Sequence, residues 1–326
     1  MATKVDLSEI GRQLPASIDI FICTASFEER CTTVAGALSA RVGQAIVIKN
    51  IESFTSASRH VERLRAIFPN NCAEVELSLS SPTQTADALK DLVCEKIGRL
   101  ERGTVVIDIT TFTHEQLLIL LALVQNAPRK AEIILAYNGA AEYSTNTDED
   151  HVWLSRGVRR VRSVLGYPGR LIPTKPLHLV VLVGFESERA QSLIEMMEPA
   201  MLSLGVGDPK HSVSSKHYAR NQKFFDKLQQ FLKRQSNQQP RTYQFQFSCV
   251  DPVMAQQSVL NHVRKFAAFN TVICPMNTKL STVGVGMAAM QDDALQVVYA
   301  EADEYNEAGY STPGDKITIS RLASQG

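Results

Sequence analysis

Short runs of Val, Ile and Leu alternate with longer segments of helical pattern along the whole chain. In the first half the apolar runs are IDIFICT, QAIVIKNI, AEVELSL, TVVIDIT and AEIILAY. Runs without polar alternation are typical of parallel strands that are buried on both faces. The second half repeats the alternation with LHLVVLVGF, TYQFQFSCV, NTVICPM and LQVVYAE. The pattern predicts an α/β fold of two tandem Rossmann-like domains, each built on a parallel sheet.

Two stretches of the chain share an order of features that indicates an internal duplication. Residues 105–144 and 272–311 each read as a strand, a Thr-rich turn, an apolar helix, a second strand and a tail ending in Tyr-Ser. The two stretches have the same length and align without a gap. The turns SFEER and GFESER precede these stretches by similar distances. Repetition at this scale is typical of duplicated units. We therefore expect domain 1 over residues 1–150, a basic helix and linker over 151–176, and domain 2 over 177–326.

The segments around the domain boundary read less regularly than the strands. SERAQSLIEMMEPAMLSLG reads as one helix, and the polar stretch Gly207–Lys223 reads as a mobile lid or surface loop. RGVRRVRSVLG reads as a helix that carries Arg156, Arg159, Arg160 and Arg162. This basic run is either a solvated face or a contact for a partner or nucleic acid, and zero net charge favours the solvated face.

The composition describes an ordinary globular chain. Its 326 residues suit two domains, with 44% hydrophobic and 21% charged residues. Thirty-four basic and 34 acidic side chains cancel, so no overall charge attracts nucleic acid or an anionic membrane. No segment reads as a signal peptide or a membrane span, so we expect a cytoplasmic protein. The six cysteines have no metal-ligand spacing and are expected to be reduced, mostly buried thiols.

The turns that follow the first strand of each half carry matching charged residues. Glu28 and Arg30 lie in one turn, and Glu186 and Arg189 lie in the other. One interpretation is helix capping, because carboxylates stabilise the first turn of a helix. The other is ligand contact, in which the glutamates bind ribose hydroxyls or a base and the arginines bind phosphate. Both interpretations are compatible with the sequence.

A second pair of turns follows the strands TVVIDIT and NTVICPM. The turn after NTVICPM crowds polar groups at a helix start, which suits an anion; its candidate ligand-binding residues are Asn277, Thr278, Lys279, Ser281 and Thr282. The alternative is a cluster of helix-capping side chains. In the other turn the candidate ligand-binding residues are Asp108, Thr110 and Thr111. The candidate catalytic residues are Asp108 and His114 of this turn, together with Glu28. No motif indicates a metal, flavin or nicotinamide cofactor, since GVGMAA lies inside a predicted helix.

With these turns the chain resembles the CARF-like Rossmannoid sensor domains of prokaryotic conflict systems. The resemblance rests on the turn PMNTKLST, which keeps Asn277, Thr278 and Lys279 but lacks the glycines of that family's turn, while ITTFTHE lacks the lysine. The chain also resembles an uncharacterised bacterial family that carries SFEER, DIT, WLSRGV and LGYPG in this order. The first resemblance implies a pair of nucleotide-binding units and a ligand that is phosphorylated.

Three functions follow from these features as hypotheses. The first is a cytoplasmic sensor that holds a nucleotide or nucleotide-derived signal between its two halves, as part of an antiviral defence operon that would supply a protein partner. The second is an enzyme that cleaves a nucleotide or an N-glycosidic bond with the carboxylate of Glu28 or Asp108. The third is a scaffold that assembles with a partner. A homodimer is compatible with each of them.

Overall fold

The computed structural model describes residues 1–52, 55–128, 130–143, 154–234, 240–307 and 310–323. The end of the predicted first domain, 144–150, and the start of the predicted basic helix, 151–153, lie outside these ranges. Among the described residues, no helix combines the length and the hydropathy that a membrane span requires.

Strands and helices alternate along the chain as the apolar runs predict. The strands are β1 Thr3–Asp6, β2 Ile18–Thr24, β3 Val42–Asn50, β4 Cys72–Leu77, β5 Thr104–Asp108, β6 Glu132–Tyr143, β7 Ser155–Arg156, β8 Arg160–Pro168, β9 Leu177–Leu182, β10 Met201–Gly207, β11 Arg241–Phe247, β12 Asn270–Pro275, β13 Gln296–Glu301, β14 Glu304–Tyr305 and β15 Ser311–Leu322. The helices are α1 Ile10–Gln13, α2 Thr33–Leu38, α3 Thr55–Ile67, α4 Pro82–Leu92, α5 His114–Asn126, α6 Ser187–Met197, α7 Ser215–Arg234, α8 Pro252–Val263 and α9 Lys279–Gln291.

The chain forms two compact units. The first unit comprises Met1–Thr147 and Glu307–Gly326, and the second comprises Asp148–Asn306. The predicted division at residues 150–176 therefore differs from the observed one in two places. The basic segment belongs to the second unit, and the final strand belongs to the first, because β15 pairs antiparallel with β6. Since Ser311 lies in the first unit, the gapless match between 105–144 and 272–311 does not hold at its Tyr-Ser end.

The first unit contains a seven-stranded sheet in the order β1-β15-β6-β5-β2-β3-β4. The strands from β6 to β4 in this order are parallel, whereas β15 and β1 are antiparallel to their neighbours. Parallel strands buried on both faces explain the continuous apolar run of β2, in which only Asp19 is exposed. From β2 the chain adds β3 and β4 on one side, and it then returns to place β5 and β6 on the other side of β2. The topological switch point therefore lies between β2 and β5.

The second unit contains a six-stranded sheet in the order β11-β10-β9-β12-β13-β8. Its strands are parallel except β8, which runs antiparallel to β13. The switch point lies between β9 and β12. Each unit thus has five parallel strands in the same relative order, followed by one antiparallel strand beside the fifth. The predicted α/β class with parallel sheets is confirmed.

Helix starts agree with the capping residues in the sequence. Ser81 caps α4 and accepts a hydrogen bond from the Gln84 amide, with Pro82 in the first turn. Thr113 and Gln116 form a reciprocal capping box at the start of α5. The α5 side chains are buried around most of the helix, as its uniformly apolar sequence predicts.

In two segments of the second unit the structure differs from the prediction: one was predicted as a single long helix and the other as a loop. The helix α6 ends at Met197, because Glu198 has a left-handed φ of 43° and Pro199 cannot donate an amide hydrogen. The residues that follow form β10, whose Leu202, Leu204 and Val206 join the core. The polar stretch 207–223, predicted as a lid or loop, supplies the first turns of α7 from Ser215 onward.

The basic segment 156–166 is also a strand rather than the predicted helix. Val158, Val161 and Val164 recur every three residues, which is a spacing typical of a helix face. Pairing of β8 with β13 overrides this local signal, and the pairing contains a register shift between Gln296 and Val298. The sheet therefore determines the structure of this segment.

A pair of buried histidines lies on one face of the second sheet. Nε2 of His178 and Nε2 of His262 each lie 2.7 Å from the Ser203 hydroxyl oxygen. The hydroxyl can donate only to a ring nitrogen that carries no proton, so this arrangement requires at least one of the two rings to be neutral while the other donates to the hydroxyl. Burial lowers the pKa of both histidines to about 4, with a further contribution to His178 from His262 and to His262 from Lys265.

We predict that this pair destabilises the protein as the pH falls. In the unfolded chain a histidine has a pKa of about 6.5, so between pH 6.5 and 4 the unfolded state binds more protons than the folded state. The free energy of unfolding should fall by about 1.4 kcal/mol per pH unit for each histidine over this range. His262→Gln keeps a hydrogen-bonding group toward Ser203 but does not titrate.

Urea unfolding of the wild type and His262→Gln at pH 7.5, 5.5 and 4.5 tests this prediction. Because other groups titrate in the same range, the quantity to compare is the stability difference between the two proteins. The variant should gain on the wild type as the pH falls. A difference that is constant with pH would show that His262 is not neutral and buried as described.

Candidate functional site

The turn after β2 is held by a buried arginine. Arg30 is 3% exposed, and its Nη2 donates to Glu28 Oε2 at 2.5 Å. Nη1 donates to the backbone carbonyl of Asn138 in β6 at 2.8 Å. The Ser311 hydroxyl at the start of β15 accepts from Arg30 Nε at 3.0 Å and donates to Glu28 at 2.5 Å. The ion pair therefore connects the turn to two strands of the first sheet.

The turn after β9 contains the same set of groups. Arg189 is 5% exposed, and its Nη1 donates to Glu186 Oε2 at 2.6 Å. Nη2 donates to the backbone carbonyl of Ala300 in β13 at 2.7 Å. The Ser155 hydroxyl accepts from Arg189 Nη1 at 2.8 Å and hydrogen-bonds Glu186. In each unit an Arg–Glu–Ser cluster thus connects the turn after the first parallel strand to another strand, β6 in the first unit and β13 in the second.

These clusters account for the repeated charged turns differently from either sequence interpretation. Neither Glu28 nor Glu186 caps its helix with a side-chain hydrogen bond. The hydrogen bonds of both guanidinium groups run to protein oxygens that join the turn to a strand, although Arg189 Nε has no partner in the described part of the chain. Since a buried charge is stable only when paired, Glu28 and Glu186 are required by Arg30 and Arg189.

The two serines identify the register by which the units correspond. Ser311 pairs with Tyr143, and Ser155 pairs with Tyr305. Tyr143 and Tyr305 are therefore corresponding positions, as are Asn138 and Ala300, whose carbonyls accept from the two arginines. The sequence match had instead placed Tyr143 opposite Tyr310, five residues further along than Tyr305.

The same reasoning locates corresponding residues at the two switch points. Thr24 ends β2, and Leu182 ends β9. Ile22 and Val180 each lie two residues before the end of β2 or β9. Ile107 pairs with Ile22, and Ile273 pairs with Val180. Asp108 and Cys274, the next residues, therefore occupy corresponding positions at the carboxyl edges of the two sheets.

At the carboxyl edge of the first sheet, three buried side chains each keep one oxygen without a hydrogen-bond partner in the described part of the chain. These oxygens are Thr24 Oγ1, Asp108 Oδ2 and Asn138 Oδ1, and the three side chains are at most 2% exposed. A polar atom left unpaired in the interior costs about 1–3 kcal/mol. The corresponding residues of the second unit are Leu182, Cys274 and Ala300, which lack these oxygens.

The Thr110 hydroxyl connects the Asp108 side chain to the backbone of Asn138. It donates to Asp108 Oδ1 and accepts from the Asn138 amide at 2.9 Å. The Thr110 amide also donates to Asp108 Oδ1, at 3.1 Å. Beside them the Thr111 hydroxyl donates to the Thr24 carbonyl at 2.7 Å. Thr110 and Thr111 thus hold the edge together, and one carboxyl oxygen of Asp108 remains to be satisfied.

Asp108 is the titratable group of this edge. Burial raises the pKa of its carboxyl to about 7, although hydrogen bonds from Thr110 and the charge of Arg30 act in the opposite direction. The carboxyl therefore exchanges a proton near neutral pH, as a general acid or base must. His114 is the first residue of α5 and is half-buried, so it lies after the same turn.

The side chains of the polar turn of the second unit bind backbone carbonyls, both of neighbouring turns and of their own turn. Asn277 Nδ2 donates to the Val183 carbonyl at 2.6 Å, and the Thr278 hydroxyl donates to the Cys249 carbonyl at 2.6 Å. The hydroxyls of Ser281 and Thr282 both donate to the Thr278 carbonyl, and Thr278 caps α9. These contacts match the capping interpretation. Lys279, the first residue of α9, is half-buried.

The four arginines of the basic run lie opposite carboxylates of their own unit. Arg160 and Arg162 both contact Glu301 Oε2, at 2.6 and 2.7 Å. Arg156 contacts Glu304 at 2.7 Å, and Arg159 lies 3.6 Å from Asp303. Because each positive charge has an acidic neighbour, the segment offers a weaker field to nucleic acid than its sequence indicates.

Sequence reasoning missed Thr24, Asn138, Ser155 and Ser311. Asn138 could have been found, because it is a polar residue within the apolar run IILAYNGA. Thr24 ends a strand at the edge where ligands bind in such sheets, which is a weaker signal. The serines have no local signal, since each contacts residues far away in the sequence.

Comparisons with known proteins add little to this description. No family model and no curated protein match the chain. Among solved structures, a universal stress protein from Pseudomonas aeruginosa is 11% identical, covers 88% of this chain and 95% of its own, and has a TM-score of 0.26. The cytoplasmic domain of a prokaryotic cation chloride cotransporter is 8% identical over 90% and 99%, with a TM-score of 0.26. A short-chain type dehydrogenase/reductase from Mycobacterium ulcerans is 10% identical over 82% and 91%, with a TM-score of 0.27. Similarity at this level carries no argument about function.

We predict that each buried arginine is essential for the stability of its unit. Arg30→Leu and Arg189→Leu should each lower the free energy of unfolding by about 3–5 kcal/mol, because each leaves a buried carboxylate without its partner. Arg59→Leu is the control. Arg59 also pairs with a glutamate of the turn after β2, Glu29, but its side chain is 63% exposed. It should cost less than about 1 kcal/mol.

Urea denaturation of the three variants measures these costs. If Arg30→Leu were no more destabilising than Arg59→Leu, the Arg–Glu–Ser cluster would not hold the turn as described.

Proposed function

We propose that the protein binds a nucleotide or nucleotide-derived signal at the carboxyl edge of the first sheet, above the switch point between β2 and β5. The strand order supports this position, because open α/β sheets bind ligands in the crevice outside the carboxyl ends of strands at a switch point. The turns predicted as ligand-binding from the sequence follow β2 and β5 and therefore lie at this edge.

The observation that carries the proposal is the set of unpaired oxygens on Thr24, Asp108 and Asn138. Buried polar groups in proteins are hydrogen-bonded in the great majority of cases, so each exception needs a reason. The second unit, with Leu182, Cys274 and Ala300 at the corresponding positions, builds the same edge without them. The shared scaffold therefore does not require these unpaired oxygens, which supports a role for them in binding.

Two features support an internal duplication as the origin of this arrangement. Five parallel strands have the same relative order in both units, and an Arg–Glu–Ser cluster recurs at the same register. In this proposal the first unit has the ligand-binding edge, and the second unit keeps the scaffold. The resemblance to CARF-like sensors favours a signalling nucleotide over a metabolic one and a role in a defence operon.

A second candidate function is catalysis on the same nucleotide, and the pKa of Asp108 favours it. A carboxyl with a pKa of about 7 can take or give a proton at neutral pH. In this case Asp108 would act on the leaving group or on an attacking water, and the bound nucleotide would be consumed. Binding without turnover distinguishes the sensor from the enzyme.

We predict that nucleotides raise the melting temperature of the protein through Asp108. A panel of mono-, di- and cyclic nucleotides and NAD should contain a member that stabilises the wild type. Asp108→Asn keeps the acceptor for Thr110 but replaces the unpaired carboxyl oxygen by an amide donor. It should weaken binding at least about tenfold, since it presents a donor where the ligand requires an acceptor.

Lys279→Ala is the matched variant in the second unit, and it should bind as the wild type does. Loss of binding in Lys279→Ala with normal binding in Asp108→Asn would move the site to the second unit. No stabilisation by any member of the panel would overturn the proposal. The same samples, assayed for nucleotide breakdown, separate the enzyme from the sensor.

A further inference from the structure

Three aromatic side chains meet at the carboxyl edge of the first sheet. The rings of Phe27 and Tyr310 are 5.2 Å apart at 82°, and those of Tyr310 and Tyr143 are 6.3 Å apart at 78°. Phe27 follows β2, Tyr143 ends β6, and Tyr310 precedes β15, so three segments distant in sequence supply one cluster. We call these residues the aromatic cluster.

The aromatic cluster lies beside the groups that carry the proposed function. The Arg30 guanidinium carbon is 5.4 Å from the centre of the Tyr143 ring. Arg30 in turn donates to the carbonyl of Asn138, one of the residues with an unpaired side-chain oxygen. All three rings are partly exposed, whereas the unpaired oxygens are buried. The edge thus carries both a partly exposed aromatic surface and buried polar groups, as small-molecule sites commonly do.

The second unit differs at the corresponding positions. Leu154, which is 5% exposed, precedes Ser155 in the way that Tyr310 precedes Ser311. Phe185, which corresponds to Phe27, packs near three side chains of α7: His217 at 5.9 Å, Phe224 at 6.1 Å and Arg220 at 5.3 Å. In the second unit α7 therefore packs against the corresponding phenylalanine, and a leucine stands at the position of Tyr310.

We propose that the aromatic cluster holds the base of the nucleotide, so that base recognition belongs to the first unit. This inference rests on the proposed function and adds the part of the ligand that is recognised. Aromatic side chains bind nucleobases by stacking, which is typically worth about 1–3 kcal/mol per base and tolerates different bases. The buried oxygens of Thr24, Asp108 and Asn138 accept hydrogen bonds, so they suit hydroxyl or amino groups of the same ligand.

The test compares nucleotides with a ligand that has no base. AMP, GMP, CMP and UMP are titrated against ribose 5-phosphate on the full chain, and tyrosine fluorescence and isothermal calorimetry report binding. Tyr310→Leu copies the residue of the second unit, and Tyr310→Phe keeps the ring. Phe27→Leu is a second variant of the cluster, and Phe185→Leu is its control in the second unit.

We expect Tyr310→Leu and Phe27→Leu to raise the Kd of the nucleotides about tenfold, equivalent to about 1.4 kcal/mol. The Kd of ribose 5-phosphate should not change. Tyr310→Phe and Phe185→Leu should bind the nucleotides as the wild type does. Melting temperatures of all variants show whether a loss of binding reflects a loss of folding, and two independent cluster variants keep the test valid if one of them unfolds.

Two results separate this inference from the proposed function. If nucleotides bind the wild type but Tyr310→Leu and Phe27→Leu bind them equally well, the base lies elsewhere and the inference is overturned while the proposed function stands. If ribose 5-phosphate binds as tightly as the nucleotides, the base is not recognised and the inference fails in the same way. If no nucleotide binds the wild type, both are overturned.

Discussion

The arrangement of each carboxyl edge depends on one buried ion pair. Arg30 with Glu28, and Arg189 with Glu186, are enclosed by protein, and each arginine also donates to a serine and to a strand carbonyl. A guanidinium group suits this position because it can bind a carboxylate, a hydroxyl and a carbonyl in different directions at once. The pair fixes the turn after the first strand against the strand next to the switch point. Every side chain proposed to meet a ligand is positioned relative to that turn.

The constraint also explains why the two units can share a scaffold and differ in chemistry. Once the Arg–Glu–Ser cluster holds the turn, the ends of the neighbouring strands need no polar groups of their own, as Leu182, Cys274 and Ala300 show in the second unit. The unpaired oxygens of Thr24, Asp108 and Asn138 therefore lower the stability of the first unit, whereas Asn138 Nδ2 and Asp108 Oδ1 serve its fold through hydrogen bonds with the Gly314 and Lys316 carbonyls and with Thr110. Groups of this kind persist where a site requires them, since function and stability compete for the same positions.

The sequence predicts those features of the fold that local patterns determine. The apolar runs identified β2, β5, β9 and β12. It did not predict β8 or the end of α6, because strand pairing and a single left-handed residue override local helix patterns there. It also assigned β15 to the wrong domain, since that strand pairs with a partner more than 160 residues away. For the site, Glu28, Arg30 and Asp108 were found, but Ser311 was missed because its contacts depend on the same long-range pairing and had no local signal.

The central claim is that the first unit alone has a ligand-binding edge. The stoichiometry of binding tests it most directly, because two related units would otherwise be expected to bind two ligands. Isothermal calorimetry of the full chain with the nucleotide that stabilises it most should give one nucleotide bound per chain. Two nucleotides bound per chain with similar affinity would contradict the account, since it would mean that Leu182, Cys274 and Ala300 serve a ligand as well as Thr24, Asp108 and Asn138 do.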